Sequence, residues 1–337
     1  MKTTQKIDFV VPWVDGSDPE WIKLYNYYRP DKPLSDRGRF RNWDIFKYWF
    51  RAVEQYAPWV NKVYLITNGT FPTWINSECP RLVMIRHEDY IPMQFLPTFN
   101  SHTIELNMDK IPGLSEHFVY FNDDVFLNAH TKPEDYFVDG LPCDCNAETL
   151  FINPWYDHIN RFGVKIVHFC DMAVINSNFN RRETVRQAPN KWYGPHLWGK
   201  SFVSTLLQSG LDNFEFFRWR HWEIPLLKSV IRDIWEKEPE LMADSCSRFR
   251  KEVSLNSYVF RYWQFASNRF HPVKMNTGAV FHVQQVASIR DAVSKSGYKS
   301  VCVNDGPYCT DEEFVQIKRS LQEIFKKKFP QKSMFEK

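Results

Sequence analysis

Asn122-Asp123-Asp124 is the group in this 337-residue chain whose residue types and spacing best suit chemistry. It follows the apolar run HFVYF. Adjacent carboxylates at a strand end suit a hard divalent cation, because Mg²⁺ takes oxygen ligands and usually completes its shell with phosphates. The competing structural reading is an Asp pair that opens the next turn. Asp15 and Asp18 form a second acidic group in the turn sequence that follows IDFVVPWV. Basic residues gather at Arg37, Arg39 and Arg41, with Lys47 and Arg51 just beyond, and again at Arg248 and Arg250 in SRFR. A guanidinium grips phosphate oxygens through two hydrogen bonds, so these are candidate diphosphate clamps. His221, in RWRHWEIP, has the acidity for a general base near neutral pH, although a lone His is often structural.

Two other patterns fail on their context. Gly194 to Ser201 (GPHLWGKS) satisfies G-x-x-x-x-G-K-[ST], but the preceding residues APNKWY are not a buried strand, and Pro195 lacks an N–H for phosphate. Cys143 and Cys145 form a C-x-C pair with no second closely spaced Cys or His pair to complete a metal site. No G-x-G-x-x-G or H-E-x-x-H occurs, which removes the usual support for dinucleotide dehydrogenases and zincins.

The elements that must position these residues alternate. Ile7–Val14, Lys62–Thr67, Arg81–Arg86 and His117–Phe121 read as strands, and residues 43–56 have helical spacing. Strands separated by helical stretches predict an α/β layer with a largely parallel sheet, in which ligands collect beyond the carboxyl ends of the strands. From about residue 150 the pattern turns helical, over 189–217, 223–238, 254–267 and 311–328. The expectation is an α/β nucleotide-type lobe over 1–145 and a mainly helical lobe over 146–337 that completes one active site.

Composition narrows the function classes. With 43% hydrophobic and 25% charged residues the chain is ordinary for a globular protein, and a net charge of +3 predicts no broad nucleic-acid surface. Aromatics reach 17% while Gly numbers only 12, which leaves few glycines for a phosphate-cradling loop. No window approaches the ~18 apolar residues of a spanning helix. The polar start, Met1 to Asp8, does not read as a signal peptide, and seven scattered cysteines fit a reducing cytoplasm. Lys326-Lys327-Lys328 reads as a solvated helix face, with peripheral contact to an anionic membrane as the alternative.

Four segments, in order, resemble the Stealth family of sugar-phosphate transferases, which includes bacterial capsule enzymes and is related to the animal N-acetylglucosamine-1-phosphotransferase. IDFVVPWVDGSDPEW resembles its first region. RFRNWDIFKYWFRAVEQYAPWVNKVYLITNG and LPTFNSHTIELNMDKIPGLSEHFVYFNDDVFL are similar to the second. HWEIPLLKSVIRDIWEKEPELMADSCSRFRKEVSLN resembles the third, and VCVNDGPYCTDEEFVQIKRSLQEIFKKKFPQKSMFEK the fourth. The chain departs from relatives in detail at Trp43 and Trp49.

The resemblance implies a Rossmann-like or GT-A-like fold. It also implies transfer of hexose-1-phosphate from a UDP-sugar to an acceptor hydroxyl, with release of UMP, in bacterial surface polysaccharide synthesis. By motif, its essential residues fall on Glu105, Asp124, His221 and Arg250, with His196 lying near the third region. Its Mg²⁺ or Mn²⁺ dependence fits Asp124, with Asn304 and Asp305 completing the metal site. Asp15 and Gly16 would lie near the nucleotide, and Arg39, Arg51, Asn122 and Arg248 are further candidates for holding substrate. His221 is expected as base and Glu105 as the residue orienting sugar or acceptor. The implied partners are a UDP-hexose and an oligosaccharide or lipid-linked acceptor. The implied location is cytoplasmic, at the inner face of a bacterial membrane. The alternatives are a conventional metal-dependent glycosyltransferase releasing UDP and a non-catalytic carbohydrate-binding protein that stacks sugars on its Trp and Tyr rings.

Overall fold

Near-continuous apolar runs form parallel strands when both sheet faces are covered, and the first half of the chain has this character. A computed structural model describes residues 5–31, 41–149, 162–218, 220–275, 277–295, 297–305 and 309–337. Strand β1 (Ile7–Pro12) lies between β2 (Val63–Thr67) and β4 (His117–Tyr120), parallel to both, and β3 (Leu82–Arg86) extends the sheet parallel to β2. Val10 sits opposite Tyr64 on one side and Tyr120 on the other. Asp8 is buried within β1 and holds the amino-terminal edge of the sheet. Its carboxylate accepts from Asn61 Nδ2 at 2.7 Å, Lys62 N at 3.2 Å and Ser115 N at 2.9 Å.

Two helices of the first half matter to the site. Helix α1 (Pro19–Tyr28) starts at Asp18, whose side chain accepts from Glu20 N, so this acidic residue serves as a helix cap. Helix α2 (Phe46–Tyr56) buries Trp49, Phe50, Ala52 and Val53 completely against the sheet. Each such large side chain contributes roughly 1.5–3 kcal/mol on burial.

The second half is less purely helical than its pattern suggests. Ile224–Leu227, inside a segment expected to be helical, is an antiparallel edge strand beside β4, and the helix there spans only Lys228–Lys237. Pro225 is tolerated because an edge strand has one side without a ladder. Segment 189–217 likewise forms two short helices, Pro189–Trp192 and Lys200–Leu207, and a short strand, Phe216–Phe217. The stretch GPHLWGKS therefore follows a helix, as its poor P-loop context requires.

A second sheet carries the last pieces of the site. Gly278–His282 runs parallel to Ser300–Asn304, which pairs antiparallel with β5 (Val125–Leu127), setting Cys302 opposite Val125. The helix Asp311–Lys328 opens with a capping box in which Thr310 and Glu313 satisfy each other's backbone N–H. One hydrophobic cluster takes in residues from Ile7 to Phe335, drawn from both halves of the chain. All seven cysteines are free thiols. Among the described residues no helix is long and apolar enough to cross a membrane.

Candidate active site

Because β1 and β4 are parallel, their carboxyl ends open on the same edge of the sheet, where α/β proteins place their ligands. There β1 runs on into Trp13 and Val14, and β4 into Asn122-Asp123-Asp124. The approach to α2 adds Arg41 and Trp43. The first residue of α3 (Ser101–Leu106) adds Ser101, and the second half of the chain adds His221, Arg250, Asn304 and Asp305. These side chains line one cleft of about 420 Å³.

Asp124 organises it. Its Oδ2 lies 3.3 Å from His221 Nε2 and accepts from Cys302 Sγ at 3.3 Å, while its carbonyl accepts from Val303 N at 2.8 Å. The register between Ser300–Asn304 and β5 delivers Cys302 to this point. Asp124 Oδ1 is buried and has no hydrogen-bond partner among the described residues. On His221, burial pulls the pKa down. The hydrogen bond to Asp124 and the charges of Asp124, Glu105 and Asp123 outweigh it, and the net shift is upward. Burial and the Asp124 charge push the Cys302 thiol well up, so it stays protonated.

The cleft is crowded with negative charge. Asp123 keeps an exposed side chain, yet the protein crowding it pushes its pKa up to about 7, by desolvation first and then by the charges of Asp124 and Asp305. Asp305 is pushed up to about 6, by burial first and the Asp124 charge second. Arg41 and a hydrogen bond from Trp43 Nε1 pull the other way. Carboxyls raised by a neighbouring carboxylate in this way are relieved by a divalent cation. The orphaned Asp124 Oδ1 is the one carboxylate oxygen of the cleft that is both buried and without a partner among the described residues, which suits a cation. Asp124, His221 and Cys302 also converge, their potential ligand atoms lying within 4.8 Å of one another. A protonated thiol is a poor ligand for a hard ion, so the oxygen set is the better match.

Glu105 stands one layer behind the cleft. It is buried on α3, accepts from Tyr120 Oη at 3.0 Å, and takes the N–H of Ser257, at the start of helix Tyr258–Ala266, at 3.0 Å. Tyr120 Oη also lies 3.0 Å from the Asn122 amide, whose other end is 3.4 Å from His221 Nε2. A hydroxyl has one proton to give. With that proton on Glu105, Asn122 turns its NH₂ toward Tyr120 and its carbonyl toward His221. Glu105 is thus joined to the cleft through Tyr120 and Asn122.

Of the expected site residues, the structure brings Asn122, Asp124, His221, Arg250, Asn304 and Asp305 to one cleft. Arg250 is tied to Ser101 Oγ at 2.6 Å. Arg51 is elsewhere, its Nε/Nη2 edge paired with the two oxygens of Glu336 and its Nη1 on the Phe329 carbonyl, so it is no phosphate clamp. Arg248 donates to the carbonyls of Pro97 and Leu96 and lies 3.9 Å over the Tyr28 ring, a bracing position outside the cleft. Asp15 accepts from the N and Oγ of Ser17 in the turn after β1, where Gly16 is buried. His196 is bonded to Asn146 at 2.9 Å, away from the cleft. Arg39 lies outside the described residues. Trp43 and Cys302 are site residues that spacing did not mark, because each arrives from a segment remote in sequence.

Residues 5–33 match the model of Stealth protein conserved region 1, and residues 39–143 that of conserved region 2. The capsular polysaccharide phosphotransferase WcwK of Streptococcus pneumoniae is 37% identical over 336 residues, covering 98% of this chain and 99% of the relative. The exopolysaccharide phosphotransferase cps2G of Lactiplantibacillus plantarum is 36% identical over 340 residues, covering 98% and 96%. The receptor polysaccharide phosphotransferase WefC of Streptococcus oralis is 37% identical over 339 residues, covering 98% and 99%. Among solved structures, the galactosyltransferase LgtC covers 93% of this chain and 95% of its own at 10% identity and a TM-score of 0.38, a likeness too distant to build on. With relatives this similar along essentially their whole length, the chain belongs to the Stealth family and is a phosphotransferase of polysaccharide synthesis.

Proposed function

We propose that the protein transfers hexose-1-phosphate from a UDP-sugar to an acceptor hydroxyl, making a phosphodiester in a bacterial surface polysaccharide and releasing UMP. The observation that carries this reading is the cleft itself, where the Asp124–His221 pair, Arg250 and the raised carboxyls of Asp123 and Asp305 face one space. Phosphoryl transfer needs charge neutralisation and in-line positioning more than covalent help. An acceptor oxygen attacks the β-phosphorus of the UDP-sugar. The bond from that phosphorus to the bridging oxygen breaks, and UMP leaves with the oxygen.

His221 takes the acceptor's proton. Its Nε2–H donates to Asp124, which leaves Nδ1 to accept, and Asp124 stabilises the imidazolium that results. Glu105 acts through Tyr120 and Asn122 as a positioning residue. Arg250, with Arg41 beside it, faces the diphosphate. Asp124 Oδ1, Asp123 and Asp305, with Asn304 beside them, would hold Mg²⁺ or Mn²⁺. The ion would neutralise charge on the diphosphate.

The 1–145 segment supplies the nucleotide-sugar side in this reading, and 146–337 closes it with His221, Arg250, Asn304 and Asp305. A cytoplasmic setting at the inner membrane face fits the free thiols and the Lys326–Lys328 run. The test is incubation with Mg²⁺ or Mn²⁺, a panel of UDP-sugars, and oligosaccharide or lipid-linked acceptors. UMP release with a new phosphodiester signal by ³¹P NMR is the expected result. Release of UDP would establish ordinary glycosyltransfer instead, and sugar binding with no donor consumed would establish a lectin-like role.

A further inference from the structure

The cleft continues past Asp124. A second hollow of about 510 Å³ opens beside it and shares four wall residues with it: Trp13, Asn42, Asp44 and Phe46. Trp13 forms the sill between the two spaces. Its ring stacks flat on Phe46, with centroids 5.8 Å apart and planes 3° from parallel. One ring face is therefore covered, and the partly exposed remainder borders both spaces. Trp74 stands in the same wall, held edge-on against Phe50 at 5.5 Å.

The rest of the wall is polar and leans positive. Lys318 and Asp44 pair, as do Arg319 and Glu323, which cancels those charges locally. Lys47 on α2 and Lys326 on helix Asp311–Lys328 also line the hollow, and neither has a carboxylate partner among the described residues. Aromatic platforms, amides at Asn42 and Gln322, and two ammonium groups without a carboxylate partner, one of them 5.4 Å over the Tyr48 ring, are the chemistry that recognises a sugar bearing a phosphate. The space is too polar to hold an apolar chain.

We propose that this hollow is the acceptor subsite and that it takes a saccharide joined to phosphate. The sugar rests at Trp13, its hydroxyl enters the Asp124 cleft, and its phosphate lies toward Lys47 and Lys326. The inference rests on the phosphotransfer reading of the cleft and deepens it by naming the acceptor's class. Nucleophile and electrophile must come within ~3–3.5 Å of each other, so an acceptor has to enter by a space continuous with the donor's. The phosphate has two sources with the same chemistry, one within the saccharide and one in a diphosphate link to an isoprenoid lipid.

Binding to the full chain, measured by calorimetry and tryptophan fluorescence, tests this with three probes. They are a neutral oligosaccharide, the same oligosaccharide with a reducing-end phosphate, and the same oligosaccharide on a short isoprenyl diphosphate. Both phosphate-bearing probes should bind about tenfold tighter than the neutral one. Lys326→Glu and high salt should each erase that margin, since exposed charges are screened. Trp13→Ala should weaken all three probes, with partial rescue by Trp13→Phe. If only the isoprenyl probe gains affinity, the source is the lipid diphosphate and the proposal holds. Equal affinity for neutral and phosphorylated probes, or a margin untouched in Lys326→Glu, would overturn it. UMP release by the wild-type protein is followed separately. Its absence beside a Lys326-dependent margin would sink the transfer reading and leave the subsite standing.

Discussion

His221 Nε2 and Asp124 Oδ2 stand 3.3 Å apart, and the same carboxylate oxygen takes the Cys302 thiol at 3.3 Å. One oxygen thus gathers the loop after β4, the loop before the edge strand Ile224–Leu227, and the strand Ser300–Asn304. Two donors engage Oδ2, and Oδ1 is left buried without a partner among the described residues. In the proposed reading Asp124 has two separate tasks, orienting an imidazole through one oxygen and offering the other to a cation.

The imidazole task predicts a split in kinetics. His221→Ala should lower kcat by about 10²–10⁴-fold while KM for the UDP-sugar moves only a few-fold, the range expected for loss of a general base. Asp124→Asn should lose at least as much, because it removes both functions. His221 is partly exposed, so its variant should keep a near-native melting temperature. Steady-state kinetics with thermal melts decide the matter, and unchanged turnover in His221→Ala would remove it from the reaction.

The cation task predicts a stability effect that needs no substrate. Mg²⁺ or Mn²⁺ at a hundredfold over its Kd should stabilise the fold by about 2.7 kcal/mol, visible as a rise in Tm of several degrees. Asp124→Asn should abolish that rise, and EDTA should abolish transfer by the wild type. A Tm indifferent to both ions, with activity surviving EDTA, would show that the carboxylates serve some other purpose.

What the sequence reveals about this site divides by the range of the interactions involved. Strands β1, β2, β3 and β4 are legible because each is a short, mostly apolar run, fully buried in β2, and the Asp pair marks the end of β4. Helix Asp311–Lys328 is legible because its Thr310–Glu313 box is local chemistry. The edge strand Ile224–Leu227 is hidden by the helical pattern that follows it, and only pairing with β4 makes it a strand. Arg51 resembles a phosphate ligand until the far carboxyl terminus supplies Glu336. Cys302 has no spacing signature, since sheet register alone brings it to Asp124.

Arg51 gives a prediction about stability and pH. Its Nε and Nη2 reach the two oxygens of Glu336 at 2.7 Å each, and Nη1 donates to the Phe329 carbonyl at 2.8 Å. This clasp fastens the carboxyl terminus to α2, and the side chains are only 10% and 4% exposed. Burial raises the Glu336 pKa, but hydrogen bonds from Arg51 and Ser333 and the Arg51 charge outweigh it, leaving the net value depressed. The stabilisation is therefore complete above the unfolded carboxylate range, at pH above ~4.3, and fades as pH falls through the depressed folded value. Glu336→Gln should cost about 3–5 kcal/mol at pH 7, because it leaves Arg51 buried and unpaired. It should cost much less near pH 3. Denaturant melts of both proteins across that range supply the test, and a pH-independent difference would refute the assignment.

Gly278 tests whether packing behind His221 governs catalysis. A Cβ built there would lie 2.3 Å from Trp222 Cε2 and 2.6 Å from its Cζ2, inside the hard-sphere limit of a rigid indole. Trp222 is 8% exposed, carries the Arg220 guanidinium 4.9 Å above its ring, and directly follows His221 in the chain. It cannot retreat without pulling on the loop that sets His221 against Asp124. Gly278→Ala should therefore cost about 1–3 kcal/mol of stability through overpacking. It should also lower kcat more than it raises KM for the donor. Gly210→Ala, where nothing lies within 4 Å of the new methyl, should stay within about 0.5 kcal/mol of wild type and serve as control. Adding Trp222→Phe to Gly278→Ala makes room for the methyl and should recover part of the lost stability. If the double variant is no more stable than Gly278→Ala alone, the strain lies elsewhere, and the link from this strand to His221 fails.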